Sequence, residues 1–189
     1  MNQRIAAIAT AVLIVLIAAG AVAWYLLRPS RQLQTASQSP VVGKATLGGT
    51  APEFEVATTS GLFDLDKADK PVFLEVFATW CPHCQRMTTV IDKLYEAYGS
   101  RVDFVGVSGS ATAMDGTSAA SELDVLNWRQ RFNVKYPVAY DPLENVADLY
   151  LQGGFPTLAI VDKSKKIVYL TSGEIPYDTL AAQLKKVTG

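Results

Sequence analysis

The chain has 189 residues, with 17 Lys and Arg against 18 Asp and Glu, two cysteines and one histidine. That length suits one domain plus an appendage. Every acidic residue falls after residue 49, whereas Arg4, Arg28, Arg31 and Lys44 precede residue 50; an acidic domain without a basic patch argues against nucleic acid as a partner, and one close cysteine pair is not the disulfide framework of a small secreted fold.

Ile5 to Leu27 carries no charge over 23 residues. As a helix it would span roughly 34 Å, enough for a hydrocarbon core of about 30 Å. Residues 1–28 are therefore predicted to be a transmembrane anchor, giving the protein a membrane contact through residues 5–27. A cleaved signal peptide is the rival, favoured by Arg4 and Ala21-Val22-Ala23. Against it, Trp24 to Leu27 continues the apolar run and supplies interfacial aromatics. Basic residues flank both ends, so the charge pattern leaves the orientation open. Residues 29–50 are rich in Ser, Gln, Thr, Gly and Ala without apolar periodicity. They read as a flexible linker of roughly 25 Å end to end, holding the domain off the bilayer while letting it reach a membrane redox partner. Residues 51–189 form the predicted globular domain, long enough to bury a core without disulfide staples.

Within that domain, Phe54 to Val56 and Leu62 to Leu65 are short strands around Ser60-Gly61, the pattern of a hairpin. Val72 to Phe77 is a buried strand behind Pro71. Cys84, Met87, Ile91, Leu94 and Tyr98 recur at helical steps, predicting a helix over Pro82–Tyr98 that stops at Gly99. Val102 to Val107 is a second buried strand, Ser108 to Ser118 a small polar loop, and Ala119 to Phe132 a helix. Val138 to Tyr140 is a short strand, and Asn145 to Leu151 a short helix broken at Gly153-Gly154. Thr157 to Val161 and Ile167 to Leu170 are strands around a turn, and Pro176 to Val187 closes the chain as a helix. Strands alternating with helices predict an α/β sandwich with a mixed central sheet.

The distinctive chemistry is concentrated in Cys81-Pro82-His83-Cys84, which holds both cysteines and the one histidine. Pro82 suits a first helical position, where a missing N–H costs nothing. Cys81 then becomes the N-cap, facing the free amides of His83 and Cys84. Those amides and the helix dipole favour an anion, so Cys81 is expected to be the reactive thiolate and Cys84, one turn inward, the resolving thiol. His83 is expected to donate a hydrogen bond or positive charge to the Cys81 sulfur, which would stabilise the reduced form and raise the reduction potential; an exposed, passive ring is the alternative. Glu75, in an apolar strand, is costly unless neutral or hydrogen-bonded. Burial would raise its pKa and make it a proton acceptor for Cys84; an edge position with a solvated carboxylate is the alternative. Trp128, Phe132 and Tyr136 read as packing.

The run Phe77-Ala78-Thr79-Trp80-Cys81-Pro82-His83-Cys84 after a strand, with Phe155-Pro156-Thr157 before a later strand, resembles the thioredoxin superfamily. The similarity is closest to the membrane-anchored TlpA/ResA type and covers about residues 50–189. It implies a thioredoxin-like fold whose extra strand and helix, Val102 to Phe132, lie between the cysteine helix and the late proline. It also implies a protein thiol-disulfide oxidoreductase that needs no cofactor. Its substrates would be proteins with thiols or disulfides, and it would act on the outer, periplasmic face of the bacterial cytoplasmic membrane. By the same resemblance Pro156 would be a cis-proline beside the cysteines. Phe155, Thr157 and Trp80 would help to shape the substrate surface, and Glu75 would be the buried acid, where the family usually has Asp. Some relatives carry a Glu three residues after the second cysteine; this chain has Met87. Pro82-His83 resembles the pair in strongly oxidising DsbA-type enzymes, whereas the rest resembles reductants of cytochrome c or copper-site assembly, so the direction of electron flow stays open.

Other chemistries fit less well. A structural disulfide across four residues gains little from closure. Structural zinc needs about four ligands, and haem attachment needs a histidine where Gln85 stands. A copper chaperone of the Sco type would want a distal histidine and one more residue between its cysteines. A peroxidase-like redoxin would have Thr in place of Ala78. A non-catalytic dithiol docking module is the binding-class rival, separable by turnover of a model disulfide.

Overall fold

The computed structural model describes residues 43–189. The predicted anchor and residues 29–42 of the predicted linker lie outside the described residues. Among the described residues, no helix is long and apolar enough to cross a membrane.

The elements in chain order are β1 (Glu55–Thr58), β2 (Gly61–Asp64), β3 (Val72–Phe77), α1 (Pro82–Tyr98), β4 (Asp103–Ser108), α2 (Glu122–Arg131), β5 (Val138–Tyr140), α3 (Asn145–Tyr150), β6 (Thr157–Val161), β7 (Ile167–Ser172) and α4 (Tyr177–Thr188). The strands form one seven-stranded sheet in the order β2-β1-β5-β4-β3-β6-β7. Pairs β3–β4 and β4–β5 are parallel; β1–β2, β1–β5, β3–β6 and β6–β7 are antiparallel. The sheet is therefore mixed, as the alternation of predicted elements implies.

Strand β3 is buried along its whole length, because helices or loops cover both faces of the sheet at its centre. Side chains alternate between faces with period two. Val72, Leu74 and Val76 join the cluster that contains Tyr150 of α3, Leu65 and Ile167. Phe73 and Phe77 join the other cluster, with Cys84, Met87, Ile91 and Leu94 of α1, Trp128 of α2, and Leu180 and Leu184 of α4. Glu75 lies between Phe73 and Phe77 in the alternation, so the pleat delivers it to the face on which α1 and its cysteines pack.

Two limits differ from the predicted ones for identifiable reasons. The folded domain reaches back to Ala45, which is buried and whose N–H donates to the Leu149 carbonyl at 2.7 Å. Gly48 N–H donates to the Ile167 carbonyl, and Ile167 N–H to the Gly49 carbonyl, so this part of the predicted linker is tied to the start of β7. Helix α2 starts at Glu122, not Ala119, because Ser121 is its cap: the Ser121 hydroxyl accepts from Asp124 N–H, and an N-cap residue cannot itself be helical. Gly99 does end α1, but with φ −60°. What it supplies is room, since a Cβ there would lie 2.6 Å from the Tyr95 carbonyl oxygen.

Candidate active site

The chain leaves β3 and turns through Ala78, Thr79 and Trp80, with Cys81 N–H donating to the Ala78 carbonyl at 3.1 Å. Helix α1 begins at Pro82 with Cys81 as N-cap, the position that the proline and the apolar spacing require. The sulfur does not cap. No side-chain cap hydrogen bond forms; the Cys81 thiol instead donates to the Phe155 carbonyl at 3.5 Å. This corrects the expected contact with the amides of His83 and Cys84. Both cysteines are free thiols.

The Phe155–Pro156 peptide is cis, and it is the Phe155 carbonyl that meets Cys81. Thr157, which follows, is buried. Its hydroxyl donates to the Gly154 carbonyl at 2.9 Å and accepts from Gln152 N–H at 3.0 Å, so it braces the turn that presents Phe155 and Pro156. Trp80 is 39% exposed. Its Nε1 donates to Ser110 Oγ at 2.8 Å and its ring meets that of Phe155 edge-on, with centroids 6.1 Å apart. Trp80 and Phe155 thus reach the surface over the nearly buried Cys81 and the buried Pro156. The turn is also clasped from the inserted segment: the Thr79 hydroxyl donates to Asp124 Oδ2 at 2.6 Å, and Asp124 Oδ1 accepts from Met114 N–H at 2.9 Å. Because Thr79 is fully buried, Asp124→Ala leaves its hydroxyl and the Met114 amide unpaired. The expected loss is about 1–3 kcal/mol, read from the urea midpoint at an unchanged slope.

Cys84 is fully buried one turn behind Cys81. Burial pushes its thiol far above the ordinary range, and the charge of Glu75 raises it further. Glu75 is itself fully buried on a central strand, not at an edge. Burial pushes its carboxyl up to about 8, opposed by a hydrogen bond from Tyr136 and assisted by Asp92. The Tyr136 hydroxyl donates to Glu75 Oε2 at 2.6 Å, whereas Glu75 Oε1 has no partner. Tyr136 therefore does more than pack, which corrects the reading from sequence. A signal was present in general form: a buried carboxyl and a buried phenol each need a partner in the same domain.

His83 also departs from expectation. Its ring is more than half exposed, and its hydrogen-bond partners are Glu174 and Arg86, not the Cys81 sulfur. Nδ1 lies 2.6 Å from Glu174 Oε1 and 2.9 Å from Arg86 Nη2. Arg86 donates from Nε to both Glu174 oxygens at 3.1 Å and from Nη2 to Oε1 at 2.6 Å. Arg86 and then His83 hold the Glu174 carboxyl down to about 2. Arg86 stands three residues after His83, a helix-neighbour spacing that the sequence does display; Glu174, 91 residues from His83, gives no such signal.

A Redoxin family model matches residues 46–185, the span that contains the whole sheet and both motifs. The chain is similar to the thiol-disulfide oxidoreductase ResA of Bacillus thuringiensis (strain Al Hakam), 33% identical over 147 residues that cover 77% of this chain and 80% of that protein. Its fold is similar to that of a candidate thiol:disulfide interchange protein DsbE from Chlorobium tepidum, at TM-score 0.66 and 24% identity, covering 77% of this chain and 100% of the other. It is also similar to the pneumococcal exposed lipoprotein thioredoxin from Streptococcus pneumoniae strain TIGR4, at TM-score 0.58 and 28% identity, covering 71% and 98%. The chain belongs to the Redoxin family, as a TlpA/ResA-type protein of the thioredoxin superfamily.

Proposed function

We propose that this protein is a membrane-tethered thiol-disulfide oxidoreductase that passes electrons to protein substrates through Cys81 and Cys84. Membership of the family and the ResA relatives support the class of reaction. The observation that carries the assignment of roles is the Cys81 sulfur set against the Phe155 carbonyl at a helix N-cap, with Cys84 buried behind it.

In the donor direction, the Cys81 thiolate attacks a substrate disulfide. A Cys81–substrate bond forms, and the substrate's other sulfur leaves as a thiolate. The Cys84 proton passes to Glu75, and the Cys84 sulfur attacks Cys81. The substrate's second sulfur is expelled, leaving the substrate reduced and Cys81–Cys84 oxidised. A reductant must then return two electrons to the pair. The reverse sequence oxidises a substrate dithiol. The uncharged run of residues 5–27 supports a tether, and the resemblance of the domain supports the outer face of a bacterial cytoplasmic membrane as its place of work.

The donor direction rests on Glu174. A histidine aimed at the Cys81 sulfur would stabilise the reduced pair and make the couple oxidising; here the Glu174 carboxylate engages both His83 and Arg86 and offsets the guanidinium charge. The equilibrium potential against glutathione tests this. A value nearer about −270 mV than about −120 mV is expected, the former thioredoxin-like and the latter DsbA-like. Glu174→Gln should move it upward by on the order of ten millivolts, the scale of a solvent-screened ion pair. A potential near the DsbA value, or one lowered by the substitution, would reject the donor direction.

A further inference from the structure

We infer that Tyr136 is a positioning residue for the resolving step: its hydroxyl fixes the carboxyl of Glu75 so that Oε1 is left free to take the Cys84 proton, and Gly106 is the opening through which its ring reaches. The inference rests on the reading of Glu75 as proton acceptor for Cys84.

The sheet register makes the arrangement specific. Glu75 on β3 is paired with Gly106 on β4, and Gly106 with Val138 on β5. Tyr136 stands two residues before Val138, and Gly106 N–H donates to the Pro137 carbonyl between them at 2.9 Å. The tyrosine ring therefore crosses β4 to reach a side chain on β3. It crosses at a residue with no side chain. A Cβ on Gly106 would lie 3.0 Å from Tyr136 Cε2, 3.3 Å from Val138 Cγ1 and 3.4 Å from Phe77 Cε1. Gly106 has no positive φ to justify it, and a glycine within a strand weakens the strand unless something must pass close to it. The passing ring supplies that reason.

A buried carboxyl oxygen without a partner is costly. Glu75 shows one oxygen held at 2.6 Å by Tyr136 and the other unpartnered. An unpaired acceptor near a buried thiol has a use, because it is the lone pair that a proton leaving Cys84 requires. Cys84 and Asp92 of α1 and the Tyr136 phenol are the titratable groups whose fields act together on this carboxyl and its neighbours; Asp92 is itself held by Lys135 N–H at 2.8 Å. In the resolving step the Cys84 S–H bond breaks and its proton is relayed by a water to Glu75 Oε1, since no hydrogen bond joins the two groups directly. The freed sulfur pair then bonds to Cys81 as the Cys81–substrate bond breaks. Tyr136 keeps its own proton throughout.

The test uses the full chain carrying a model mixed disulfide on Cys81. Resolution by Cys84 is followed by rapid mixing from pH 5.5 to 9.5, and the Glu75 carboxyl is titrated by isotope-edited infrared spectroscopy. Tyr136→Phe keeps the ring and removes only the hydroxyl. It should raise the carboxyl midpoint by about one pH unit and slow resolution at pH 7 about tenfold, since a group that must be ionised is then ionised one-tenth as often. Gly106→Ala, which crowds the ring, should shift both readings in the same direction. Tyr136→Phe with wild-type titration and rate, beside a slow Glu75→Gln, would reduce Tyr136 to packing and overturn the inference alone. Glu75→Gln resolving at the wild-type rate would overturn the reading of Glu75 and this inference with it.

Discussion

Cys81→Ser is expected to abolish turnover of a model disulfide, and Cys84→Ser to yield a protein that attacks once and stalls as a mixed disulfide with its substrate. The asymmetry follows from position. Cys81 sits at the N-cap beside the partly exposed Trp80 and against the Phe155 carbonyl, and keeps 4% of its surface exposed where Cys84 keeps none. Its helix offers an anion unpaired amides and the positive end of a dipole. Cys84 is sealed in the core, with its thiol held neutral by burial, so it reacts with nothing except a sulfur already attached next door. A serine at 81 is too weak a nucleophile at neutral pH to begin the cycle. A serine at 84 leaves the first attack intact and removes the second. Turnover assays on the full chain, with non-reducing electrophoresis to trap the adducts, read both results. Full exchange activity in Cys81→Ser, or failure of Cys84→Ser to accumulate adducts, would reject the division of roles.

Local chemistry made the centre of this fold legible. Pro71 and Pro82 punctuate an apolar run and a helical stripe, and the limits of β3 and α1 coincide with the predicted ones. The N-cap position of Cys81 follows from the proline alone. The rest of the site depends on which residues the sheet brings together, and spacing along the chain does not encode that. Glu75 reads as a costly carboxyl, yet its partner comes from beyond β4 and needs a glycine to pass. His83 reads as a partner for sulfur, yet the turn after β7 delivers Glu174 to it. Thr79 and Asp124 are 45 residues apart and meet only because the inserted segment folds over the cysteine turn. The start of the domain lies earlier than its composition implies for a similar reason. A small-residue stretch looks like a linker until the end of α3 and the start of β7 are there to bind its backbone.

The second large effect is on stability, and its sign is fixed by Glu75. The carboxyl has an ordinary value of 4.5 and is pushed up to about 8 when folded, by burial first. Between those values the folded protein holds a proton that the unfolded chain releases, so each rise in pH favours unfolding. The stabilisation is complete below about 4.5 and is lost as the pH climbs through about 8. With one pH unit worth about 1.36 kcal/mol, the loss across that window is on the order of 3–5 kcal/mol. Glu75→Gln has no charge to acquire and can still accept from Tyr136, so its unfolding free energy should lack this loss and exceed that of the wild type above about pH 8. Asp92 is raised as well, chiefly by burial, and gives both proteins a slope of the same sign; the difference between the two curves therefore isolates Glu75. Urea unfolding from pH 4 to 9, with the cysteines kept reduced, measures that difference. Parallel curves would mean that the carboxyl is not held neutral. It would then have no reason to be ionised in only about one molecule in ten at pH 7, and the expected rise in resolving rate toward about pH 8 would vanish with it.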